Sequence, residues 1–152
     1  MATRLRWLAI VLAALLATVV AAAGSGNTAA TKLTLDGAAL RPELALTPAA
    51  RARGLMNRKP APVDGMLFVF PERTTGGFWM KNTLVPLTIA FFDAGGKRVR
   101  KLSMTPCLED PCPIYDPGRR YRFALELRAS DPRPAKRLGP IAELRKLVRR
   151  AS

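Results

Sequence analysis

The segment Trp79-Met80-Lys81-Asn82-Thr83 holds the densest mix of side chains that could do chemistry. Read as a strand, it sends Trp79, Lys81 and Thr83 to one face and Met80 and Asn82 to the other. An aromatic platform, a cation and a hydroxyl on one face suit a polar or anionic ligand such as a sugar, a peptide carboxylate or a phosphate. The structural alternative places Trp79 in the core, pairs Lys81 with a carboxylate and lets Asn82-Thr83 cap a turn through side-chain to backbone bonds. The functional reading nominates Trp79, Lys81, Asn82 and Thr83 as a ligand-binding set.

Acid–base chemistry is harder to place. Asp64, Asp93 and Glu126 are the carboxylates to consider, but Asp93 belongs to a turn and Glu126 to a strand face. Glycoside hydrolysis needs two carboxyls at a set separation, which spacing along the chain does not give. A hydrolase using Lys81 with a nearby carboxylate is the alternative function, since burial beside Trp79 would perturb the amine. No catalytic residue is nominated. Met56, Met66, Met80 and Met104 recur near these motifs, and thioethers bind copper(I). Beside apolar neighbours they read as core filler; a metal-handling accessory role would need Met56, Met66 and Met80 to converge. Glu109, Asp110 and Asp116 lack the alternate spacing of a calcium loop and read as salt-bridge partners for Arg119 or Arg120. No cofactor or metal is expected.

Composition narrows the field. The 152 residues contain 25 Lys and Arg, 11 Asp and Glu, two Cys and no His, for a formal charge of +14. Without His there is no Ser-His-Asp or Cys-His nucleophile system and no histidine-ligated metal. Two Cys exclude a four-cysteine zinc or iron–sulfur site within one chain. Residues 1–23 have the zones of a signal peptide: Arg4 and Arg6, an apolar run from Trp7 to Val20, then Ala21-Ala22-Ala23. A membrane anchor is the alternative, but the run is at the lower limit for spanning and no charged stop follows. Cleavage would leave a charge of +12 and a periplasmic or extracellular protein. There Cys107 and Cys112, in a proline-stiffened loop, default to a disulfide. A catalytic dithiol would usually show two intervening residues and a helix start.

These residues must be held by short elements. Residues 24–31 read as a flexible linker, 32–139 as one β-rich domain and 140–152 as a basic C-terminal helix. Residues 32–36 and 40–46 alternate as strands, the second with Pro42 marking an edge. Thr47-Pro48 opens a short helix that Gly54 stops. Residues 66–70, 77–80 and 87–93 are apolar runs that predict buried strands. A turn at Asp93-Ala94-Gly95-Gly96-Lys97 returns the chain through 99–104, and 122–127 alternates again. Seven short strands separated by turns predict a mostly β fold with minor α: a small antiparallel sandwich or barrel with one short helix and a C-terminal helix. At the end of the chain Ile141, Leu144, Leu147 and Val148 share a helical face. Its basic face would either be solvated or touch an anionic envelope surface.

The order of motifs resembles a known family. Arg53-Gly54-Leu55-Met56-Asn57-Arg58, Asp64-Gly65-Met66-Leu67-Phe68-Val69-Phe70, Phe78-Trp79-Met80-Lys81-Asn82-Thr83, Pro86-Leu87, Pro111-Cys112-Pro113-Ile114-Tyr115 and Ala124-Leu125-Glu126-Leu127 together resemble the secreted prokaryotic family catalogued as domain of unknown function 192. The resemblance implies a compact, mostly β domain and no established reaction. After Pro86-Leu87 the family usually has Asp, where this chain has Thr88. The expected protein is therefore an exported, monomeric β-rich module that binds a small polar ligand or a cell-envelope component, with no nucleic-acid partner and a binding role in preference to the enzymatic alternative.

Overall fold

The computed structural model describes residues 31–152. The expected signal, residues 1–23, and all but the last residue of the expected linker, 24–31, lie outside the described residues. The elements are β1 Leu33–Leu35, β2 Ala38–Leu40, β3 Glu43–Ala45, α1 Pro48–Arg53, β4 Met66–Thr74, β5 Phe78–Trp79, β6 Leu87–Phe92, β7 Arg98–Met104, β8 Ile114–Tyr115, β9 Tyr121–Arg128, β10 Leu138–Gly139 and α2 Ile141–Arg150. The fold is mostly β with minor α, as the turn-separated apolar runs predict.

The main sheet has five strands in the order β3-β4-β9-β6-β7. Its pairs are antiparallel except β3 with β4, which run parallel. A three-stranded sheet, β10-β1-β2, and a two-stranded one, β5-β8, accompany it, and no sheet closes into a barrel. The main sheet is covered on both faces, and this explains why its central strands read as continuous apolar runs. Along β4, Leu67 and Val69 enter one core while Met66 and Phe68 enter the other. Every residue of β6 is buried.

The first core joins Leu33 and Leu35 of the small sheet to Leu67, Phe92, Leu125 and, from α2, Leu144 and Leu147. The basic C-terminal helix is thus packed on the sheet by its apolar face, with Ile141 and Val148 partly buried beside it. The second core holds Leu55, Phe68, Met80, Ile89, Phe91 and Tyr121. Its aromatic rings meet edge to face, Phe91 lying 4.8 Å from Tyr121 and Phe78 4.9 Å from Phe68.

Local signals fall where sequence chemistry puts them. Thr47 caps α1 by accepting from the Ala50 N–H at 3.2 Å, and Gly54, at φ +47°, ends it. The Asp93 carboxylate accepts from the Gly95 and Lys97 amides, closing the β6–β7 hairpin. The strand expected over 40–46 is divided at Arg41-Pro42, so β2 joins the small sheet and β3 the main one. Pro42 has no N–H to give a ladder, and the Arg41 N–H turns instead to Asp64 Oδ2 at 3.0 Å.

Candidate functional site

The segment 79–83 begins as a strand and does not continue as one. Trp79 pairs with Ile114 at the end of β5 and is 48% exposed. The chain then turns: the Thr83 N–H donates to the Met80 carbonyl at 3.0 Å, and Asn82 takes φ +54°. Asparagine tolerates this left-handed conformation because its short polar side chain adds little steric cost. The expected alternation is therefore corrected. Trp79 and Lys81 face outward, Met80 is fully buried, and Thr83 is buried at 4% exposure. Asn82 acts through its backbone, donating to the Cys107 carbonyl at 2.9 Å and accepting from the Asn57 N–H at 2.8 Å.

Lys81 is paired with Asp110, and its ammonium lies 6.0 Å from the centre of the Trp79 ring. The carboxylate beside Lys81 is thus on the rim, supplied by the disulfide loop. Asp110 serves Lys81, and Asp116 accepts from the Gly118 N–H, so the expected pairing of this acidic patch with Arg119 or Arg120 is not made. Both members of the Lys81–Asp110 pair are partly open to solvent, so the pair orients the rim and adds little stability.

Cys107 and Cys112 are disulfide-bonded, an arrangement suited to an oxidising, exported environment. Cys107 also holds the turn at 79–83, because its N–H donates to the Met80 carbonyl at 3.2 Å. No helix among the described residues is long and apolar enough to cross a membrane. Replacing both cysteines by serine is expected to cost about 2 kcal/mol, the loop-closure entropy of so short a ring. Thermal unfolding with and without reductant checks this, and an unchanged midpoint would contradict it.

Behind Trp79 lies a cavity of about 30 Å³, walled by Arg53, Gly54, Met56, Trp79, Thr83 and Glu126. Its volume holds a water or a single polar ligand group. Glu126 sits in β9 between Ile89 and Met66 of the neighbouring strands, on the face of the second core. It is 4% exposed, and among the described residues no hydrogen bond reaches its carboxyl. Burial pushes its pKa up to about 8, so near pH 7 it is mostly the neutral acid, able both to donate and to accept.

Glu126 is the residue that strand periodicity left on an ordinary face. The available signal was a lone carboxylate among apolar residues in Ala124-Leu125-Glu126-Leu127. Met66, Met80 and Met104 are buried in the second core as filler, with Met56 at the cavity wall. Thr88, where the family resemblance leads one to expect Asp, is buried, and its hydroxyl has no partner among the described residues.

The comparisons with known proteins agree with this fold. No curated protein matches the sequence. The crystal structure of a protein from Sinorhizobium meliloti 1021, described as a candidate transcription regulator, is 32% identical, with a TM-score of 0.60 over 71% of this chain and 89% of that one. A protein of unknown function from Novosphingobium aromaticivorans DSM 12444 is 25% identical, with a TM-score of 0.62 over 72% of this chain and 84% of that one. Residues 31–133 match the model of the family DUF192, described as an uncharacterized ACR. That match covers more than half of the sequence, with the Trp79–Thr83 turn, the disulfide loop and Glu126 inside it, and the chain belongs to the DUF192 family.

Proposed function

We propose that this protein is an exported binding module that takes a small polar ligand, such as a sugar or another envelope component, at the mouth of the Glu126 cavity. The observation that carries the reading is Glu126 itself. A carboxyl that is 4% exposed and has no hydrogen bond among the described residues is costly to fold around. A ligand hydroxyl or amine entering beside Thr83 would satisfy it. The half-exposed ring of Trp79 offers the adjoining apolar platform, and the Lys81–Asp110 pair gives the rim one charge of each sign. Export rests on the leader pattern of residues 1–23 and on the Cys107–Cys112 bond.

Native mass spectrometry of the protein recovered from the envelope of its host tests this reading. The parent chain is expected to lack residues 1–23 and to carry a small adduct of defined mass, and Trp79→Ala to lose that adduct while keeping its fold. A bare parent chain, or an adduct that survives in Trp79→Ala, would remove the reading. The sequence contains two tryptophans, Trp7 and Trp79, so after leader cleavage Trp79 is the single indole and its fluorescence reports on the site directly.

A further inference from the structure

A second and larger cavity, about 590 Å³, opens beside the first and shares Arg53, Gly54 and Met56 with it. Its volume is in the range of small-molecule sites. Leu44, Leu46 and Met66 give it an apolar floor, and three arginines, Arg53, Arg58 and Arg150, supply its charge. Glu43 is its single carboxylate, and that group is already taken. Arg58 grips it bidentately at 2.5 and 2.8 Å, holding the Glu43 pKa below the usual carboxylate range. Among the described residues Arg53 and Arg150 make no ion pair and no side-chain hydrogen bond, so the cavity keeps two uncompensated guanidinium groups over an apolar floor.

These two arginines come from distant parts of the chain, one from the last turn of α1 and the other from the last turn of α2. The C-terminal end brings them to one cavity. The Ser152 N–H donates to the Leu46 carbonyl at 3.0 Å, and the Arg51 guanidinium donates to the Ser152 carbonyl at 2.6 Å. Arg51 is itself fixed by the Leu46 and Val69 carbonyls and lies over the Phe70 ring. This juxtaposition is built into the fold by named contacts.

We infer that this cavity is a binding site for an amphiphilic organic anion, whose phosphate or carboxylate head is held by Arg53 and Arg150 and whose apolar part rests on Leu44, Leu46 and Met66. Guanidinium groups match both oxyanions through paired N–H donors. The inference goes beyond the ligand reading of the Glu126 cavity and does not depend on it.

Calorimetric titration of the oxidised protein with octyl phosphate tests the site, with inorganic phosphate and octyl glucoside as the head-only and neutral counterparts. Octyl phosphate is expected to bind at least tenfold more tightly than either, and more weakly as salt is raised. Arg53→Gln/Arg150→Gln is expected to weaken it tenfold or more, and each single variant to weaken it less. Arg145→Gln/Arg149→Gln, on the exposed face of α2, removes the same charge and is expected to leave affinity unchanged. Trp79→Ala is expected to leave it unchanged as well, which separates this site from the Glu126 reading. Absence of octyl phosphate binding, equal binding of octyl glucoside, or equal loss in the two double variants would overturn the inference.

Discussion

Stability is expected to fall by about 1.4 kcal/mol for each pH unit between about 5 and 8, and Glu126→Gln to abolish that slope. The cause is a single buried acid. Below the ordinary glutamate range Glu126 is protonated in both the folded and the unfolded chain, so it contributes no pH dependence there. As pH rises the unfolded chain releases the proton first, while the folded chain keeps it until about 8. The unfolded state then binds fewer protons than the native state, and stability decreases with pH through this window. The shift from 4.5 to about 8 makes the total on the order of 5 kcal/mol. Other carboxylates act elsewhere: Glu43 and Asp131 are held low by Arg58 and Arg133, so their stabilisation is lost only as pH drops below about 4. The chain has no His, and its cysteines are joined, so no imidazole or free thiol titrates in this window. Denaturant unfolding of parent and Glu126→Gln at pH 5 and pH 8 decides the matter. The variant is expected to be the more stable protein at pH 8, and parallel pH profiles for the two would refute the assignment. A ligand that satisfies the neutral acid would also hold its proton, so binding is expected to weaken as pH passes 8.

Why Glu126 was hidden in the sequence while its strand was legible follows from what each depends on. Period-two alternation and turn residues are local, so β9, the β6–β7 hairpin and the Thr47 cap could be read from a few neighbours. The burial of Glu126 depends on segment 79–83 crossing above it, some 40 residues away in the chain, and no local pattern reports that. The same holds within the segment itself. Alternation assumed an extended chain through Thr83, whereas the left-handed Asn82 and the two hydrogen bonds to Cys107 make a turn that drives Thr83 inward. Lys81 pairs with Asp110 because the disulfide folds the loop back on the turn, a consequence of the bond and not of residue order. Arg53 and Arg150 lie almost a hundred residues apart, and only the docking of the C-terminal end brings them to one cavity.

Gly65→Ala is expected to destabilise the protein by about 4 kcal/mol, lowering the thermal midpoint on the order of 15 °C. Gly65 enters β4 at φ +69°, a left-handed conformation that costs an L side chain about 1–2 kcal/mol. The larger cost is steric. A Cβ at this position would lie 1.8 Å from the backbone carbonyl oxygen of Glu126 and 3.1 Å from the Leu127 side chain. The carbonyl belongs to a central strand paired on both sides and cannot retreat alone, so overpacking adds about 1–3 kcal/mol. Gly37→Ala supplies the control, because Gly37 has φ +85° but nothing within 4 Å of the added carbon. It is expected to show the conformational cost without the clash. Thermal unfolding of both variants separates the two terms, and a Gly65→Ala loss no greater than that of Gly37→Ala would show that the sheet yields. The close approach also bears on the site, since Gly65 presses on the residue whose carboxyl lines the cavity. The Gly65 carbonyl accepts the Glu43 N–H at 3.0 Å, tying β3 to β4 where Met66 pairs with Glu126. Any Gly65→Ala protein that still folds is therefore expected to show a weaker pH dependence between 5 and 8, as water reaches the displaced Glu126.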